Sequence, residues 1–388
     1  MQLADSIAER IRGVTGVPRT ALHEPALNGN ELAYVTECIQ TGWVSSVGSF
    51  VDRFERDLAD YTGARHAVVV SNGTSGLQVA LLLAGVMAGD EVLVPTLSFV
   101  ATANAVSHCG AHPHFVDSNY TTLGLDAEAL DAYLRDTAQV RDGICINRRT
   151  GRRIAAVVPM HTFGHPVDMA KLLEVAQHFA IEIVEDAAES LGSFIGDRHT
   201  GLFGRCAMLS FNGNKVVTTG GGGAIITDDS ALAKRAKHLT TTAKLPHAWE
   251  YGHDEVAFNY RMPNLNAALG CAQLERLDAF LEAKRELAGR YEQAFKDIPQ
   301  VELFTERAGT HANYWLQTLL LKPEHADERD AVLRATNDAG QMTRPVWRLL
   351  HTLPMYAHCE AMPTPVAADL ARRIINIPSG PQLVAGAL

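Results

Sequence analysis

The chain has 388 residues, 47% of them hydrophobic and 20% charged, enough for a buried sheet and for two domains or one large domain with an appendage. Its 34 Lys and Arg against 44 Asp and Glu leave a formal charge of −10, which argues against a nucleic-acid binder. No apolar run approaches the roughly 20 residues of a membrane span, and Met1-Gln2-Leu3-Ala4-Asp5-Ser6 lacks the charged-then-apolar pattern of a signal peptide.

Residues 31–40 read as a helix ending at Thr41-Gly42. The pattern then alternates. Residues 66–70 form a short β-branched strand, followed by the turn Ser71-Asn72-Gly73-Thr74 and an apolar helix over 75–84. Strands are predicted at 91–95 and 113–116, with a helix over 99–107 between them. A strand at 154–159 precedes a helix over 168–180, whose Met169, Leu172, Leu173 and Ala176 share a face. Residues 181–184 are again a strand, and 207–211 and 224–227 add two more. Strands that are apolar throughout and alternate with helices indicate a mainly parallel sheet covered on both faces.

The segment 136–153 shows no period and is locally basic (Arg141, Arg148, Arg149, Arg152, Arg153), which reads as an irregular surface excursion. His108, Cys109, His112 and His114 are metal-ligand types, but 111–117 reads more simply as a strand ending at Asp117. Six scattered cysteines without a CxxC read as buried free thiols, and so as a cytoplasmic protein. A long helix is expected after Pro263, capped by Asn264, with Leu265, Leu269, Leu274, Leu277, Phe280 and Leu281 on one side. Its later part, with Lys284 and Arg285, looks more solvated. A strand at 314–321, a helix at 327–339 and a strand at 374–378 complete the chain. The expected fold class is α/β: a large sheet domain over 1–265 and a smaller α+β domain over 266–388, opened by the bridging helix.

Lys215 lies in Ser210-Phe211-Asn212-Gly213-Asn214-Lys215, before Gly220-Gly221-Gly222-Gly223. Upstream, a buried strand ends in Glu185-Asp186-Ala187-Ala188-Glu189. A lone lysine is usually a solvated charge. A strand-end acid, a polar turn with a lysine and a glycine run together suggest a site for pyridoxal 5'-phosphate, with Lys215 holding its aldehyde as a Schiff base. The cofactor's phosphate suits the helix N-terminus at Gly73 and Thr74, with Ser210 adding a hydroxyl. Asp186, at a strand's carboxyl end, is placed to keep the ring nitrogen protonated. Phe99 is placed to stack on the ring and Glu189 to meet the ring oxygen. The glycine run lacks GxGxxG spacing and precedes a strand, so it reads as a tight turn, not a dinucleotide site.

These motifs, with Phe258-Asn259-Tyr260-Arg261-Met262, occur in the order of the nucleotide-sugar aminotransferases of the DegT/StrS type, and from about residue 25 to 378 the chain resembles that family. The resemblance implies a fold-type I pyridoxal phosphate enzyme and a homodimer with active sites at the interface. In such a dimer Asn259 would reach the partner subunit's cofactor phosphate. Glu189 stands where many relatives carry Gln or His. The resemblance further implies transamination of a 4-keto-6-deoxy sugar nucleotide, 2-acetamido by its closest likeness, with glutamate as donor and 2-oxoglutarate as product. The amino sugar would serve surface glycan synthesis of the legionaminic-acid, bacillosamine or perosamine type. Trp43, Asn313, Tyr314 and Arg344 are expected, by position, to touch the substrate. Dehydratases on this fold carry His at the lysine position, and a non-catalytic regulator would be expected to lose Lys215 or Asp186.

Overall fold

The computed structural model describes residues 3–384. The alternating strands assemble into a seven-stranded sheet in the order His66–Val70, Gly223–Thr227, Cys206–Ser210, Glu182–Asp186, Ile154–Val157, Glu91–Pro95, His112–Val116. From Cys206–Ser210 to His112–Val116 every neighbouring pair is parallel. Gly223–Thr227 runs antiparallel to both of its neighbours. The loop 211–222 that feeds it contains no helix. A parallel return needs a crossover, whereas a loop suffices to turn the chain back.

The strands are buried on both faces, so alternate residues enter different cores. Val70, Val92, Val94, Met208 and Ile225 pack with Leu77, Ala80 and Val106, from the helices Gly73–Leu83 and Val100–His108. On the opposite face Val69, Leu209 and Ile226 meet Phe54 and Ala268, from the helices Ser49–Thr62 and Asn264–Leu274. Further along that face Leu93, Val157 and Ile183 meet Leu130 and Leu172.

A second, four-stranded sheet orders Val301–Leu303, Gln317–Leu321, Ile374–Ile377 and Arg344–Pro345, antiparallel throughout. Its core joins Leu319 and Ile375 to Leu287 and Tyr291 of the helix Leu277–Phe295. Ala4, Ile7 and Ile11 of the helix Leu3–Thr15 belong to the same core. The first helix therefore completes the C-terminal layer, although chain order groups it with the large domain.

Four local expectations change. The segment 136–153 contains a hairpin, Ala138–Arg141 paired with Ile144–Asn147. It is tied to the sheet because buried Glu91 accepts from Asn147 Nδ2 (2.8 Å) and Thr150 Oγ1 (2.6 Å). The long helix is two, broken at Glu275-Arg276. Asn264 caps a different helix: its Oδ1 accepts from Phe50 N (3.1 Å) and Val51 N (3.2 Å), at the start of Ser49–Thr62. Lys284, expected to be solvated, is 0% exposed, because its helix is covered by the second sheet on that side.

Candidate active site

A cavity of about 330 Å³ opens at the carboxyl ends of the parallel strands, where loops diverge from a doubly covered sheet. Gly73, Thr74, Phe99, Asp186, Glu189, Ser210 and Lys215 all line it.

The turn after His66–Val70 builds one end. Asn72 Oδ1 accepts from Ser75 N (2.8 Å), and the first intrahelical bond runs from Gly76 N to Asn72 O (3.1 Å). The N–H groups of Gly73 and Thr74 precede that ladder, at the positive end of the helix dipole. A Cβ at Gly73 would stand 3.0 Å from Met208 Sδ and 3.1 Å from Ser210 Oγ. Glycine thus lets the helix end close on the strand that carries Ser210, leaving N–H groups and a hydroxyl around one small cradle. Such a cradle suits a phosphate.

The acids at the end of Glu182–Asp186 divide between the two sides of the strand. Glu185 is fully buried and accepts from His161 Nε2 (3.1 Å) and from the N–H groups of Gly201 (2.8 Å), Phe203 (2.6 Å) and Gly204 (2.7 Å). Burial alone would raise its pKa; the His161 bond and backbone donors bring it below the usual value. Asp186 faces the cavity and is 4% exposed. Its Oδ2 accepts from Thr102 Oγ1 (2.8 Å) and its Oδ1 from Ala188 N (3.2 Å). Burial pushes its pKa up, because these neutral donors compensate the lost solvation only in part. A cation in the cavity would restore the charged form, and a protonated ring nitrogen supplies one.

Lys215 Nζ lies 3.4 Å from Glu189 Oε1 and 3.7 Å from the centre of the Trp315 ring. Trp315 is held by a bond from Nε1 to Asn214 O (2.6 Å), so the turn carrying the lysine also fixes the ring beneath it. Glu189 Oε2 accepts from Phe163 N (2.8 Å). Burial raises the Glu189 pKa to about 7, against the opposing influence of Lys215. Phe99 is 52% exposed at the cavity mouth, 6.3 Å from the Trp347 ring. Cradle, buried carboxylate, amine and exposed ring together fit the four parts of pyridoxal phosphate.

The remaining expected residues lie elsewhere. Asn313 is 2% exposed and fully engaged: Nδ2 donates to Glu189 O (2.8 Å) and Leu191 O (2.9 Å), and Oδ1 accepts from Trp315 N (2.8 Å). It supports the site from behind and is not part of the cavity lining. Tyr314 is buried against His165, which also packs on Phe304, and its hydroxyl accepts from Glu306 N. Arg344 is exposed and bonded to Asn337 Oδ1 and Thr343 O, away from the cavity. Trp43 is exposed in the connection before Ser49–Thr62 and is not part of this chain's cavity lining. Asn259 is exposed and also outside the lining. Phe258 and Tyr260 stack at 4.8 Å on one side of the extended chain, which turns Asn259 to the other.

Sequence reading missed Thr102, Met160, Trp315 and Trp347 in the lining. Ser98 and Thr102, four apart at a helix start and bonded at 2.8 Å, carried a readable signal. Trp315 read as a core strand residue, and Trp347 carried no signal. Among the described residues one group has metal-ligand spacing, His238, Asp254 and Glu255. Glu255 is paired with Arg235, and His238 with Asp254 at 2.7 Å, so the charges there satisfy one another. His114 likewise bonds Glu91 and Tyr133.

Residues 25–387 match the DegT/DnrJ/EryC1/StrS aminotransferase family. The GDP-perosamine synthase of Caulobacter vibrioides is 38% identical over 372 residues, covering 94% of each chain. That of Vibrio cholerae is 35% identical over 363 residues, covering 93% of this chain and 94% of its own. The crystal structure of the aminotransferase TlmJ from Streptoalloteichus hindustanus superposes with a TM-score of 0.85 at 29% identity, covering 95% of each chain. The chain belongs to the DegT/DnrJ/EryC1/StrS aminotransferase family and is a pyridoxal phosphate-dependent aminotransferase of sugar nucleotides in glycan biosynthesis.

Proposed function

We propose that this enzyme transfers the amino group of glutamate to C4 of a 4-keto-6-deoxy sugar nucleotide, releasing 2-oxoglutarate. The observation that carries the reading is the convergence of Lys215, Asp186 and the Gly73 cradle on one cavity. When bound, pyridoxal phosphate supplies an electrophilic carbonyl and an electron-withdrawing ring. Gly73, Thr74 and Ser210 hold its phosphate, and Asp186 keeps a proton on its ring nitrogen. Phe99 covers the ring face. Lys215 takes the proton from Cα of the amino donor and delivers a proton at C4 of the sugar in the second half-reaction. Trp315 limits where the Lys215 amine can swing.

The relatives and the sequence resemblance support the choice of sugar. Resemblance points to C4 amination of 6-deoxy sugars, including 2-acetamido ones. Both named relatives are called GDP-perosamine synthases. Perosamine is a 4-amino-4,6-dideoxy sugar without an acetamido group, so GDP-4-keto-6-deoxymannose heads the panel of acceptors, ahead of UDP- and dTDP-linked 2-acetamido sugars. The exposed Asn259, together with exposed Leu32, Ile39, Trp43, Val44 and Val47, supports a homodimer in which Asn259 serves the partner's site. Five of the six cysteines are buried free thiols, which supports a reducing cytoplasm.

Purified protein should be yellow and bleach on adding glutamate. Lys215→Ala should lose that colour and all turnover, and product NMR across the acceptor panel should show a 4-amino sugar. A Lys215→Ala enzyme with full turnover, or amination at another ring carbon, refutes the reading.

A further inference from the structure

Glu189 has more to do than its place in the lining requires. It is 4% exposed, and its two oxygens face different partners: Oε2 accepts from Phe163 N at 2.8 Å, and Oε1 faces Lys215 Nζ at 3.4 Å. The first contact is built deliberately. Phe163 is fully buried and holds a left-handed φ of 55°, an uncommon conformation for a bulky residue. Its ring is trapped between Trp347 (5.1 Å) and Trp315 (6.4 Å). The Glu189 carbonyl is in turn fixed by Asn313 Nδ2. The carboxyl group therefore cannot swing away when the charge beside it changes.

That charge does change. The ionisable groups acting on Glu189 are Lys215 and Asp186. The turn at Thr162–Gly164 presents a backbone N–H, and the C-terminal segment presents Trp315 and Trp347, none of which titrates near neutrality. With Lys215 free, its ammonium offsets the Glu189 carboxylate. Once the lysine nitrogen is joined to the cofactor, its positive charge is offset by the cofactor's own phenolic oxygen. Glu189 is then left buried beside Asp186 with no cation of its own, a state that disfavours an ionised carboxylate.

We infer that Glu189 takes up a proton from solvent when Lys215 engages the cofactor, and returns it to solvent only when Lys215 again carries a positive charge of its own. The balance is simple: the lysine ammonium and the aldehyde give a protonated imine and water with no net proton, and the extra proton enters from solvent at Glu189. A Gln at this position would keep the hydrogen bond but store nothing. The inference rests on the cofactor reading above, and Glu189 is offered as a proton-storing residue beside the reacting amine.

The test is calorimetric reconstitution of the cofactor-free enzyme with pyridoxal phosphate. Measuring the heat in Hepes and in triethanolamine, tertiary amines that do not react with the aldehyde, gives the protons exchanged. Glu189 titrates near pH 7 before the cofactor binds. At pH 8 the wild type should therefore take up close to one proton more than Glu189→Gln, and at pH 6, where the carboxyl is already protonated, the difference should vanish. An infrared difference spectrum of the wild type alone should show a protonated carboxyl appearing on reconstitution at pH 8, which needs no variant to fold. Equal proton counts in the two proteins, or no carboxyl band, overturn the inference while the enzyme still turns yellow. Failure of the wild type to turn yellow overturns the cofactor reading itself.

Discussion

Replacing Lys284 by Met should change how the stability of this enzyme depends on pH. Lys284 Nζ is fully buried and donates to Ser379 O (2.6 Å) and Trp315 O (3.2 Å), with no acid beside it. A neutral amine has two N–H donors, and both are used. Burial holds the Lys284 pKa well below the usual lysine value. Between that depressed value and the unfolded value near 10.4, the unfolded chain carries a proton that the folded chain does not. Stability therefore rises with pH across the window, by about 1.4 kcal/mol per unit. Each pH unit inside that window adds the same increment to the wild type from this group alone. Lys284→Met removes the titration. It also orphans two buried carbonyl groups, a pH-independent loss of about 1–3 kcal/mol each. The variant should thus be clearly weaker at pH 10, and its deficit should shrink or reverse as pH falls through the window. His23 is also buried, and its pKa is lowered chiefly by that burial. Its unfolded value near 6.5 keeps its own titration below this window. Urea denaturation of cofactor-free protein, at one protein concentration and four pH values, measures the effect. A deficit that stays constant from pH 7 to 10 would mean that the buried amine is charged, and the reasoning fails.

Two further substitutions probe the walls of the site. Thr102→Val removes the hydroxyl donor to Asp186 Oδ2 while keeping the side-chain volume. A hydrogen bond to a charged group is worth about 1.5–3 kcal/mol, so cofactor affinity should fall roughly 10- to 100-fold, measured by equilibrium dialysis, with the fold intact; unchanged affinity would show that Asp186 needs no such orientation. Gly222→Ala would place a Cβ 2.3 Å from Thr219 Oγ1 and 2.5 Å from Met262 Cε, in the loop that borders the cavity. Overpacking of this kind costs about 1–3 kcal/mol, and a thermal midpoint equal to the wild type's would show that the loop yields freely.

The parts of this molecule that could be read from sequence are those where one residue's surroundings are local in the chain. The strands are apolar runs, the turn at Gly73 is a strand-turn-helix junction, and Asp186 ends its strand, so each announced itself within about ten residues. What stayed hidden depends on contacts across the fold. Lys284 read as solvated because its neighbours in sequence, Arg285 and Glu286, are charged. Only the second sheet, closing over the other side of the helix, decides its burial. Asn264 stood in the right place for a cap and does cap a helix, but one that begins more than two hundred residues earlier.

Asn313 shows most clearly why nearness in sequence does not place a side chain in the cavity. It lies one residue from Tyr314 and two from Trp315, which does line the cavity. Left-handed backbone at Tyr314 (φ 48°) turns the chain between them. Asn313 is thereby sent behind the site to grip Glu189 O and Leu191 O, while Trp315 enters beneath Lys215. Gly164 makes room for it: a Cβ there would lie 1.8 Å from Asn313 Oδ1, and its φ of 94° excludes most other residues in any case. A glycine, a strained tyrosine and a saturated amide thus fix the distance between Glu189 and Lys215. The proton argued to move at Glu189 depends on that distance staying short while the charge on the lysine comes and goes.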